Sequence, residues 1–260
     1  MQSNPTARNL RFDRPTNWRR AGRAACLTLV FALLAIGPVN AGDSAERRAM
    51  GFSVDGRYFA FEQFGIQDGS GFPYADIFIV DIEQDAWVPD TPIRVLLKED
   101  QAELAAAREK AASQAAPILQ KLAIRHAGRL LASDPAAEIG NDPHRETVNR
   151  RYQLRGAYEP QIFELTELPL PAPESCKGVT DQPMLGFRLQ SQKSGASPVT
   201  LHEDTAIPES RGCPLGYAIS AIVTFRRPDQ REVLAILVSV SRVGFEGPDR
   251  RFLAVTHAPK

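Results

Sequence analysis

The chain has 260 residues with 31 basic and 31 acidic side chains, 43% hydrophobic and 24% charged content. That balance is globular and excludes collagen-like, disordered and multi-span membrane chains. The charges are unevenly spread: residues 1–41 carry six arginines (Arg8, Arg11, Arg14, Arg19, Arg20, Arg23) against the single acid Asp13, which leaves 25 basic and 30 acidic groups in the other 219 residues. With a net charge of −5 on residues 42–260, nucleic acid and anionic lipid surfaces are set aside as partners.

The first element in chain order is the apolar run Ala24–Ile36 behind those arginines. Its 13 residues fall short of the roughly 20 that a spanning helix needs, so it reads as the core of a signal peptide. Gly37 and Pro38 break it, and Val39-Asn40-Ala41 offers small residues to a peptidase. Cleavage after Ala41 then predicts residues 1–41 as leader and 42–260 as one periplasmic or secreted domain with no membrane span. The Arg19-Arg20 pair admits twin-arginine as well as general secretory export. Cys26 leaves with the leader, so Cys176 and Cys213, in an oxidising compartment, are expected to form a disulfide.

Within 50–97, Asp55-Gly56 is a turn signal, and Arg57–Glu62 alternates as a strand does. Ile77–Ile82 is β-branched and aromatic, and the two runs are expected to pair antiparallel across an irregular loop, Gly65–Tyr74. Ser53-Val54-Asp55-Gly56-Arg57-Tyr58 resembles the turn of one propeller blade, but no second copy follows, so a blade-like hairpin is expected rather than a propeller. Residues 98–132, and 99–127 in particular, turn to alanine, glutamate, glutamine, lysine and arginine, which predicts a helix with a thin apolar stripe. Pro117 either kinks it or opens a second helix that stops at Gly128. Residues 133–150 read as a polar linker. Residues 151–260 read as short strands: 161–168, 184–190, 216–225, 232–241 and 252–256. The apolar run Glu232–Val240 suggests a central strand covered on both faces, one of them by the helix. The fold class expected is α+β, mostly antiparallel β with one alanine-rich helical segment.

Chemistry is sparse. His126, His144, His202 and His257 lie too far apart to assemble a metal site locally. His202-Glu203-Asp204 with Ser210 could serve a hydrolase, yet no Gly-x-Ser-x-Gly elbow accompanies them. Asp55, Asp68, Asp76, Asp81 and Asp85 raise a weak calcium possibility without an EF-hand spacing; no other cofactor is indicated. Phe72, Pro73 and Tyr74 either form a recognition surface or fold back onto the sheet. Gly244–Arg251 should be a tight turn, with Glu246 and Asp249 pairing with Arg250, Arg251 or Arg211 to pin it against the disulfide-bearing loop. The candidate ligand-binding residues are therefore Asp68, Phe72, Tyr74, Arg211 and Arg251. The leading expectation is a non-catalytic binding protein for a small molecule or an envelope protein, with a periplasmic hydrolase using His202 with Ser210 or a nearby carboxylate as the alternative.

Three stretches carry a resemblance: Gly51–Phe61 with Asp68–Tyr74 and Trp87-Val88; Ser210–Tyr217; and Gly244–Val255. Together they resemble the bacterial family of predicted secreted proteins carrying domain of unknown function 2259. The resemblance implies secretion and supplies no catalytic residue.

Overall fold

The computed structural model describes residues 42–133, 142–150 and 159–258. The leader and the expected cleavage after Ala41 lie outside the described residues. Strands β1 (Glu46–Ser53), β2 (Tyr58–Ile66) and β3 (Pro73–Asp81) form an antiparallel meander. The Asp55-Gly56 turn joins the first two: Gly56 has φ 69° and donates its N–H to the Ser53 carbonyl at 2.9 Å. The outer edge of β3 takes β4 (Ala86–Trp87) at Val80 and Asp81 and β5 (Ile93–Leu96) at Tyr74–Ile77. The expected hairpin is thus β2–β3, and it runs further than its sequence suggests. Gly65 and Tyr74, read as loop, are paired partners, because Gly65 leaves the room that the Tyr74 ring fills.

Helix α1 (Leu104–Lys121) lies on the outer face of this sheet. Ala107, Ala111 and Ala115, four residues apart, are fully buried against Ala60, Ala75, Ile77 and Ile79; small side chains on one stripe let the helix approach the sheet closely. An ion pair fastens it: Glu62, 1% exposed, accepts from both Arg108 and Arg48 at 2.9 Å. The helix runs through Pro117 without breaking and ends sooner than expected. Ala123 turns to φ 50°, and Ile124–His126 becomes β6, paired with β1. A free sheet edge and a β-branched residue outweigh the helix-forming composition there.

Four further strands follow: β7 (Arg129–Ser133), β8 (Arg145–Arg150), β9 (Glu159–Pro169) and β10 (Leu185–Lys193). The expected linker 133–150 therefore contains a strand. Its polar composition hides it, because Val148 is its one fully buried apolar side chain, joining a cluster with Phe163 and Phe187. Strands β11 (Val199–Glu203), β12 (Pro214–Arg226), β13 (Glu232–Arg242) and β14 (Asp249–His257) complete the described chain. One sheet has the order β14-β13-β12-β7 and another β11-β10-β9-β8.

The clusters of buried side chains stack these parts. Phe52, Phe59, Phe61 and Phe78 of the first sheet meet Val233, Ala235, Leu237 and Phe252. Phe163, Phe187 and Leu189 of the third meet Leu234, Ile236, Val238 and Val240. Strand β13 thus sends alternate side chains into two cores, as its continuous apolar run predicts. The expectation that the helix covers one of its faces is corrected: sheets cover both, and the helix sits one layer further out.

The Cys176–Cys213 disulfide has Cα atoms 5.4 Å apart and packs with Met184 and Ile207 in a small separate cluster. The turn before β14 is pinned by the expected pairing of Asp249 with Arg251, at 4.0 Å, and by Asp43, but not to that loop. Asp43 donates its backbone N–H to Asp249 at 3.2 Å and accepts from Arg251 through its side chain at 2.5 Å, while Arg211 pairs with Asp204 instead. Gly244 and Gly247 do not adopt positive φ. Gly244 is required by crowding, since a Cβ there would lie 2.3 Å from the Gly247 carbonyl oxygen.

Candidate functional site

Strand β14 is the edge of the middle sheet, and a cleft of about 710 Å³ runs beside it between the two outer sheets. The floor is Val240 and Arg242 of β13 with Arg251–Val255 of β14. One wall comes from the first sheet: Phe61, Gln63, Tyr74, Asp76, Phe78, Trp87 and Arg94. The opposite wall is His202 of β11 with Pro208, Ser210 and Arg211 from the segment leading to Cys213.

The aromatic wall is built from the core outward. Phe61 stacks on Phe78 with ring centres 4.8 Å apart and planes 7° from parallel, and Trp87 tilts against Phe78 at 5.9 Å. Alternation along β2 and β3 puts Phe61, Tyr74, Asp76 and Phe78 on one face. Gln63 links that face to the floor, its Oε1 accepting from the Phe252 N–H at 2.9 Å and its Nε2 donating to Asp76 at 2.9 Å. An edge-strand donor is thereby satisfied by a side chain of the neighbouring sheet.

A polar cluster closes one part of the cleft. Tyr74 donates its hydroxyl to buried Asp43 at 2.9 Å, and Arg251 lies over the Tyr74 ring at 4.6 Å. Burial drives the Tyr74 hydroxyl far above its ordinary pKa, despite the opposing charge of Arg251. Burial also raises the pKa of Asp76, against a bond from Gln63 and the nearby charge of Arg94. Arg242 is pushed below the usual guanidinium range by burial and then by like-charged Arg251, with Asp249 at 3.6 Å in partial compensation.

On the opposite wall, burial alone would raise the pKa of Asp204. Bonds from His202 at 2.9 Å, from Arg211 and from the Phe187 N–H at 3.0 Å reverse this and hold it below the usual carboxylate range. The His202 ring stacks on Phe187 at 4.7 Å, and Tyr217, which also receives a bond from Arg211, is pushed by burial up to about 12.

The structure brings Tyr74, Arg211 and Arg251 to this cleft together with His202 and Ser210. Asp68 and Phe72 sit on the loop between β2 and β3, where Asp68 accepts from the Gly69 N–H at 2.9 Å; neither lines the cleft, although Gln67 does. His202 bonds Asp204, and no hydrogen bond joins it to Ser210. The five aspartates of the calcium reading are dispersed: Asp55 turns to Ser53 and Arg57, Asp81 to Arg57, and Asp76 to Gln63. Among the described residues no three His, Cys, Asp or Glu side chains form a group able to hold a metal ion, and no helix is long and apolar enough to cross a membrane. Sequence reasoning missed Trp87, Arg94 and Arg242. Trp87 carried a signal, being an aromatic residue in a polar turn beside Asp85.

No curated protein and no solved structure matches this chain. The model of one family, described as a predicted secreted protein and designated DUF2259, matches residues 60–257. That span takes in the helix, every residue lining the cleft and all strands of the three sheets except β1 and the first residues of β2. The chain belongs to this family of predicted secreted proteins, and its place is periplasmic or extracellular.

Proposed function

We propose that the protein is an exported binding protein whose small-molecule ligand occupies the cleft beside β14. The observation that carries this reading is the convergence of an aromatic wall, a mainly apolar floor bearing Arg242 and Arg251, and a separately anchored opposite wall on one space of about 710 Å³, within the range of small-molecule sites. Arg251 and Arg211 already hold Asp43 and Asp204, so their first role is to fix the walls. A ligand meets the groups left facing the space. The test is a thermal-shift screen of the exported protein, since a ligand at a hundred times its Kd stabilises by about 2.7 kcal/mol. Ser210 is exposed on the cleft wall; Ser210→Trp should leave the unliganded melting temperature unchanged and abolish the shift. A shift that survives this block places the ligand elsewhere and overturns the reading.

The His202–Asp204 pair favours a second reading, because a carboxylate orienting an imidazole is half of a hydrolytic site. Ser210 shares the same wall. Turnover of an ester substrate that is lost in both His202→Ala and Ser210→Ala would decide for it.

A further inference from the structure

We infer that the ligand is a saccharide, seated with the apolar face of a sugar ring on Trp87. This rests on the reading of the cleft as a binding site and names the chemistry that it selects.

The first observation is Trp87 itself. An indole left 45% exposed loses the burial that ordinarily stabilises it. It is nevertheless held in place, tilted on Phe78, which is stacked on Phe61, so the platform is rigid before any ligand arrives. Arg94 lies over the indole at 5.8 Å from its centre, and both line the cleft; an aromatic surface with a hydrogen-bond donor at its side suits the C–H face of a pyranose ring and the hydroxyls around it.

The second observation is the charge pattern. A site for a simple anion leaves arginines uncompensated, whereas here each cation faces an acid: Arg251 with Asp43, Arg242 with Asp249, Arg211 with Asp204, and Arg94 beside Asp76 on the neighbouring strand. Such an array has little net charge and alternates fixed donors with fixed acceptors. A hydroxyl group is one donor and two acceptors, so a polyhydroxylated ligand can satisfy both kinds of partner at once. A fatty acid or a lone carboxylate satisfies only the donors.

The third observation is the floor. The Arg250 and Phe252 N–H groups point outward from β14, to Asp43 and Gln63. The alternation of an antiparallel edge then turns the Ala254 N–H and C=O the same way, into the cleft that Ala254 lines. A donor and an acceptor on rigid backbone extend the same mixed pattern.

Trp87 is the only tryptophan after residue 41, the other being Trp18, so its fluorescence reports on the cleft directly once the leader is gone. The exported protein, with its mass checked for loss of residues 1–41, is applied to an array of bacterial, fungal and plant glycans, and the best-bound oligosaccharide is titrated against indole emission. Binding with a spectral shift is expected. These variants lack the indole, so their binding is read by isothermal titration calorimetry: Trp87→Ala, in protein that circular dichroism shows folded at the assay temperature, should weaken it at least tenfold, and Trp87→Phe should restore part of the loss. A blank array overturns the saccharide assignment, as does a bound glycan indifferent to Trp87→Ala. If the array is blank while a non-saccharide compound stabilises the protein and is blocked by Ser210→Trp, the cleft reading stands and only the ligand class fails. If neither finds a ligand, both fail.

Discussion

At the scale of single residues, Arg251 is the sharpest case. Its sequence context, a charged pair after two glycines and a proline, admitted either a ligand-facing arginine or a turn fastener. The structure gives it a place on the cleft floor with its charge already spent on Asp43, the two side chains being 12% and 4% exposed. Removing one partner of a buried pair leaves the other uncompensated, so Arg251→Ala should cost about 3 kcal/mol by denaturant unfolding. Arg251→Ala with Asp43→Ala should cost less than the sum of the two. Asp76 behaves in the opposite sense. Its folded pKa is raised by burial, so its contribution to stability is full below the unfolded value near 3.9 and is lost as pH rises through the folded value. Asp76→Asn should therefore match the wild type near pH 3.5 and melt higher at pH 8, a gap that calorimetry across that range measures. Asp249, expected from the sequence as a partner of Arg251, does stand 4.0 Å from it, but the closer partner Asp43 and the environment of Asp76 were not readable in the sequence. Asp43 lies 208 positions from Arg251, and burial is a property of the assembled cleft.

At the scale of elements, strands with strong alternation or continuous apolar runs were legible: β9, β10, β12, β13 and β14 all stand within a few residues of where composition puts them. The elements missed were those whose existence depends on a neighbour. Strand β6 forms because β1 offers an edge, and β8 has only Val148 as a fully buried apolar residue. The helix was legible as a helix but not in its placement. Its buried stripe is alanine, which carries weak periodic signal but fixes a short distance to the sheet. Ala111→Leu should wedge the helix away and cost about 1–3 kcal/mol. Gln114→Leu, on the exposed face, should stay within about 0.5 kcal/mol in the same chemical melts.

At the scale of the whole molecule, the candidate site belongs to no single stretch of chain. Trp87 and Arg94 come from the first sheet, Arg242 and Ala254 from the middle one, and His202 from the third, which is why isolated motifs carried so little chemistry. The strap at Asp43–Ala45 adds a consequence in time. Asp43 and Ala45 exchange backbone hydrogen bonds with Arg250, and Asp43 holds Arg251 and Tyr74. A chain made and exported from its amino end therefore presents the strap first and its partner strand last. The cleft cannot close on a partly delivered chain, and a molecule stalled or clipped before residue 249 keeps its first folded residues loose, where a protease that trims extended segments can reach them. Arrival of β14 is thus registered at Asp43–Ala45, and only copies that carry that strand shelter both segments.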